Sequence, residues 1–131
     1  TTQKNFLELK ADLKESASYS NSAKMVADDL LKSLLPQEKV LAHITGYINT
    51  SKALIITTDK RLLVATYNFY TKSPVQEIPL DTIVDLSTFP DWQHCVKISL
   101  RCEKYHLTIS GCDPLKARKL VETIHSKRLL Y

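Results

Sequence analysis

Histidine and cysteine gather late in the chain: His94, Cys95, Cys102, His106 and Cys112 fall within 19 residues. These side chains hold zinc or act as nucleophiles and bases. No pair is spaced C-x2-C or H-x3-H, the local patterns that bring two ligands onto one ion. Cys95 and Cys102 are seven residues apart. In an extended stretch that is about 23 Å at a rise of ~3.3 Å per residue, too far to share a metal. Cys95 and Cys112 approach one another if their segments pair, yet with His94 they fall short of a closed zinc set. Free thiols are expected, with no metal and no cofactor. Catalysis is equally unsupported. No Ser or Cys stands on a Gly-x-Ser-x-Gly elbow. His43, His94, His106 and His125 are dispersed, and no carboxylate is placed to orient His106, which is expected to face outward across from Ser99. No catalytic residue is assigned, and the chain is read as a non-enzyme.

What remains is recognition. Lys52, Lys60, Arg61, Lys116 and Lys119, with the single tryptophan Trp92, are the candidate contacts to a partner or a lipid headgroup. The chain has 18 basic and 14 acidic residues, a net charge of +4. Residues 1–35 balance at five of each sign, so the whole excess lies in 36–131. That excess is too mild and too spread for a nucleic-acid surface. The only glycines, Gly46 and Gly111, exclude a Gly-rich phosphate loop. Three cysteines without a dense framework argue against a disulfide scaffold. No apolar run approaches the ~18–20 residues of a membrane span. A cytoplasmic location is expected.

These residues need a scaffold. A chain of 131 residues is one domain with at most a short appendage. Phe6, Leu9 and Leu13 give a narrow helical stripe over 3–16. Ala23, Val26, Ala27, Leu30, Leu31 and Leu34 form a broader one, ended by Pro36. This face packs on the rest of the protein or, through Val26, Leu30 and Leu34, offers a helical interface. Beyond Pro36 the texture turns to short β-branched runs. Strands are predicted at 39–48, 53–58, 61–67, 74–79, 83–89, 95–101 and 104–110. An Asp59-Lys60 turn opposes Leu54 to Ala65 and Ile56 to Leu63. A turn at Cys102-Glu103 would pair Leu100 with Tyr105, Ile98 with Leu107 and Val96 with Ile109. Asp113-Pro114 then starts a helix whose apolar face is Ala117, Leu120, Val121 and Ile124.

Seven antiparallel strands followed by one amphipathic helix predict an α+β fold: a seven-stranded antiparallel barrel capped by its C-terminal helix, with an N-terminal extension of two helices over 1–35 and the barrel over 36–131. Residues 34–126 resemble bacterial pleckstrin-homology-like domains of the YokE type. The resemblance rests on Leu35-Pro36-Gln37-Glu38-Lys39-Val40, on the stretch from Leu54 through Thr57-Thr58-Asp59-Lys60-Arg61-Leu62 to Val64, and on Glu77-Ile78-Pro79-Leu80-Asp81-Thr82-Ile83. The second hairpin also resembles the GRAM subgroup. The resemblance implies a seven-stranded barrel and an interaction module: an adaptor that binds protein or self-associates, in a bacterium or a prophage. It also permits weak contact with anionic lipid through the basic hairpin and the last helix. Strong inositide binding is not expected, because the first hairpin offers His43, Lys52 and one glycine where such headgroups need several cations.

Overall fold

A computed structural model describes residues 20–68 and 73–128. The stripe at 3–16 lies outside the described residues. Helix α1 runs Ser20–Lys32. It is followed by β1 Ala42–Ile48, β2 Ser51–Thr57, β3 Arg61–Tyr67, β4 Gln76–Pro79, β5 Ile83–Pro90, β6 Val96–Cys102 and β7 His106–Cys112, and then by helix α2, Pro114–Arg128. α1 ends two residues before the predicted Leu34. The chain must turn into Leu35-Pro36, and the Ser33 and Leu34 amides tighten onto the carbonyls of Leu30 and Leu31 at 3.2 Å.

The strands form one antiparallel sheet in the order β4-β3-β2-β1-β7-β6-β5. Its two halves join where β1 meets β7, and the only paired residues there are Tyr47 and Ser110. The sheet is open between β4 and β5, which a 3-10 turn at Leu80–Thr82 connects. One core fills its concave side: Ile44, Ile55, Leu62, Ile78, Leu86, Ile98, Leu100 and Ile109, closed by Ala117, Leu120 and Ile124 of α2.

A second core lies on the opposite face of β2 and β3. Leu54, Ile56, Leu63, Ala65 and Tyr67 pack there against Val26, Ala27 and Leu30 of α1. Strands β2 and β3 are thus buried on both faces, which explains their unbroken apolar runs. Val26 and Leu30 are fully buried within this chain and Leu34 is partly so. The apolar face proposed for a partner is covered by the protein's own sheet.

The β2–β3 register is the predicted one, with Leu54 opposite Ala65 and Ile56 opposite Leu63. The β6–β7 register is not. Leu100 pairs with Leu107 and Ile98 with Ile109, a slip of two residues from the expected pairs. The hairpin turns one residue later: the Cys102 amide donates to the Tyr105 carbonyl at 2.8 Å, leaving Glu103-Lys104 at the tip. A bulge between Val96 and Ile98 then sets Val96 opposite Cys112. Gly46 falls within the predicted strand 39–48. It lies inside β1, and Asn49, in a left-handed conformation at φ 57°, makes the turn.

Candidate functional site

The site is built from what the sheet leaves exposed, and Arg61 is removed from it. At the β2–β3 turn, Thr58 Oγ1 accepts the amides of Lys60 and Arg61 at 3.2 Å each and donates to Glu38 Oε2 at 2.8 Å. Arg61 grips the same carboxylate with two donors, Nε to Oε2 at 2.8 Å and Nη2 to Oε1 at 2.6 Å. Nη2 also reaches the Ser33 carbonyl after α1, and Nη1 lies 3.1 Å from Glu77 Oε1 on β4. The Leu35 amide completes the Glu38 shell at 3.0 Å. The Glu38 side chain is 3% exposed and that of Arg61 13%. Arg61's hydrogen bonds hold the Glu38 carboxyl down at about 2 against the opposing effect of burial, and Glu38 in turn raises Arg61. Arg61 is therefore a structural clamp joining α1, β2–β3 and β4, and not the exposed contact expected of it. Sequence reading missed this because Glu38 is 23 residues away. The signal was the pairing of the Leu-Pro-Gln-Glu and Thr-Thr-Asp-Lys-Arg motifs, now seen as two halves of one lock.

The remaining candidates disperse. Lys60 is exposed at the turn tip. Lys52 lies over the Tyr47 ring, 4.7 Å from its centroid. Lys116 and Lys119 are exposed on α2. Trp92 is 56% exposed and begins the short 3-10 turn Trp92–His94 between β5 and β6. Its indole lies near Gly111, where a Cβ would be 3.9 Å from the ring and 3.1 Å from Tyr47. The Asp91 carboxylate accepts the Gly111 amide at 2.9 Å, and this bond, with one from the Trp92 amide, lowers its pKa. Beside this turn lies a concavity of about 310 Å³, bounded by Ile44 and Thr45 of β1, by Gln93, His94 and Cys95, and by Lys116 of α2.

Three exposed apolar residues escaped the sequence reading. Leu115, in the first turn of α2, is 74% exposed. Its absence from the stripe Ala117, Leu120, Val121 and Ile124 was the available signal. Val84 and Phe89 are both half exposed on β5. β5 is a terminal strand of the sheet, so one side of its backbone has no strand neighbour among the described residues.

The reactive side chains do not assemble. Cys95, Cys102 and Cys112 are free thiols. Burial pushes Cys112 up to about 12, helped by Cys95 and Asp91, and raises Cys102 as well. Among the described residues no three His, Cys, Asp or Glu side chains are grouped to hold a metal ion. His106 is exposed, with Nε2 2.6 Å from Ser99 Oγ, although Ser99 is paired with Thr108 in the ladder. This is a surface hydrogen bond between diagonal neighbours.

Seven antiparallel strands in one open sheet, joined across a corner and closed by a C-terminal helix, define a pleckstrin-homology-like fold. The family model for the bacterial PH domain matches residues 34–126, and the chain belongs to that family. A crystal structure of a pleckstrin homology domain from Shewanella amazonensis SB2B is similar in fold, with a TM-score of 0.52 at 19% identity, covering 80% of this chain and 96% of that one. No curated protein matches the chain. Such domains usually mediate interactions and are generally non-catalytic. No helix among the described residues is long and apolar enough to cross a membrane.

Proposed function

We propose that this domain is a non-enzymatic interaction module whose ligand is a protein segment, received along β5 and the adjoining β5–β6 turn. The observation that supports this most is the terminal strand itself. β5 is eight residues long, has an open edge, and exposes Val84 and Phe89 before the chain reaches Trp92. An extended segment added to such an edge gains main-chain hydrogen bonds, and side chains beside it supply selectivity. The opposite edge is poorly suited: β4 has four residues, ends in Pro79, and carries the Glu77 that pairs with Arg61. Anionic lipid is the weaker reading, because Arg61 is engaged in ion pairs and leaves Lys60 as the cation at the hairpin tip.

In this reading the protein is a YokE-type, GRAM-like adaptor of a bacterium or prophage, working in the cytoplasm. Within the extension over 1–35, helix α1 supports the barrel of 36–131 from outside. The test is a photo-crosslinker placed at Val84, with a control at Lys104 on the β6–β7 turn, in the source cells. The expected result is a discrete protein adduct at 84 and none at 104. Absence of a protein adduct at 84, with the domain sedimenting on phosphatidylglycerol vesicles, would reject the reading in favour of lipid.

A further inference from the structure

Strand β5 leaves one row of side chains for whatever pairs with it. In the ladder with β6, Asp85 stands opposite Arg101, Ser87 opposite Ser99 and Phe89 opposite Lys97. Leu86 alternates with them and is buried with Leu100 and Ile98 in the core under the sheet. Asp85, Ser87 and Phe89 therefore share the outer face, with Asp85 and Phe89 exposed and Ser87 half-buried. Asp85 is the only charged residue of the strand. Among the described residues no partner hydrogen-bonds or ion-pairs with its carboxylate, although Arg101 is its ladder neighbour.

A strand added to β5 continues that row, because residues directly opposite in an antiparallel pair point to one face with Cβ atoms ~5 Å apart. Every pairing in this sheet is antiparallel. A segment that follows suit meets Phe89 first, Ser87 two residues later and Asp85 four residues later. Opposite charges across such a row stabilise and like charges destabilise, and an aromatic residue favours an aromatic or β-branched neighbour. The added strand also takes water from Asp85, and a carboxylate that loses water needs a cation. The cations of β6, Lys97 and Arg101, stand one strand further back. At ~4.8 Å per strand they are about 10 Å from the segment, roughly a Debye length. β5 is not its own complement. Two copies paired about Ser87 would set Asp85 against Phe89 at both ends of the seam, and two paired about Asp85 would set acid against acid. A bulge between Ile83 and Asp85 and the lone charge guard this end of the edge against indiscriminate pairing, and leave Ser87 to Phe89 in regular register.

We propose that the β5 edge takes a locally basic strand of a partner protein: an aromatic or β-branched residue followed four positions later by Lys or Arg. The first meets Phe89 and the cation meets the Asp85 carboxylate, with a small or hydroxyl side chain between them against Ser87. The inference rests on the protein-binding reading above and names the chemistry of its ligand.

The probe is a phage-displayed library of random dodecapeptides panned on the whole chain. Enriched peptides are expected to carry this spacing and to form adducts with the photo-crosslinker at Val84. Asp85→Lys should weaken a synthetic copy about fivefold or more, since an attraction across the seam becomes a repulsion. The same peptide with its Lys or Arg replaced by Glu should show the reverse order and bind Asp85→Lys more tightly than the parent. A merely structural role for Asp85 would not exchange the two preferences. Should Asp85→Lys melt well below the parent, Asp85→Asn carries the test and should bind the basic and acidic peptides alike. Peptides that mark position 84 but bind the parent equally with Lys or Glu at that place would overturn the inference and leave the β5 reading standing. No enrichment, or enriched peptides that leave position 84 unmarked, would overturn both. An oligomer in solution that shields the Val84 probe would name a second copy of this chain as the occupant, and would overturn the inference as well.

Discussion

Glu38 keeps its charge in a place that burial alone would make costly. It does so because four donors converge on it: two from Arg61, the Thr58 hydroxyl and the Leu35 amide, with the Arg61 charge reinforcing them. Removing one partner of such a pair leaves the other buried and uncompensated. Glu38→Ala is therefore expected to lower unfolding stability by about 3 kcal/mol, read as a fall in the urea midpoint at constant slope. The linkage has a definite sign. The folded carboxyl titrates near 2 and the unfolded one near 4.5. Its contribution is whole above pH 4.5, fades as the pH falls from there toward 2, and is absent below. Over that window the parent should lose about 3 kcal/mol more than Glu38→Ala. Equal acid sensitivity in the two proteins would show that Glu38 does not hold its charge through Arg61. Residue identity revealed little of this in advance. An Arg after Asp-Lys in a hairpin turn reads as a surface cation, and only the approach of a distant carboxylate makes it a clamp.

At the scale of elements, the two glycines of the chain turn out to share one location. Gly46 and Gly111 flank the Tyr47–Ser110 pair, the corner at which β1 passes to β7. A Cβ on Gly46 would stand 2.7 Å from Ile109 Cγ2 and 2.8 Å from the Ser110 carbonyl oxygen. A backbone atom yields less readily than a side chain, so the two halves of the sheet would have to part. Gly46→Ala is expected to cost about 2 kcal/mol by overpacking, whereas Ala at the exposed turn residue Thr50 should change stability by less than about 0.5 kcal/mol. Equal thermal stability of Gly46→Ala and the parent would mean that the corner is looser than it looks. The sequence carried the strand faces well and the pairing less well, for one reason. Side chains alternate with a period of two, so a slip of two residues in β6–β7 keeps every inward residue inward. Val96, Ile98 and Leu100 match the opposing strand equally in either register. The Cys102–Tyr105 hydrogen bond and the bulge decide between them, and neither leaves a mark in the apolar pattern. The β2–β3 register was legible because Asp59-Lys60 is a clear turn at a defined position. The concavity beside Trp92 was not, because it joins β1, the β5–β6 loop and α2, which are distant in sequence.

On the scale of the molecule, β2 and β3 belong to both cores at once. Ile55 and Val64 face the concave side, while Leu54, Ile56 and Leu63 face α1. The helix outside the sheet and the helix closing it are thus coupled through the same two strands, and the domain should unfold as one unit. Leu30, fully buried on α1, is far in sequence from Trp92, the single tryptophan. Leu30→Ala should cost about 3 kcal/mol through the lost contacts and the cavity left behind. If the coupling holds, the loss appears equally in the far-ultraviolet signal of the helices and in the fluorescence of Trp92, with coincident denaturant curves. A biphasic transition, in which helical signal falls first while Trp92 still reports a native environment, would mean that α1 melts alone from a barrel that stands without it. The double burial of β2 and β3 argues against that outcome. A barrel stripped of α1 would expose Leu54, Ile56, Leu63, Ala65 and Tyr67 together, a contiguous apolar face of the kind that soluble monomers rarely present.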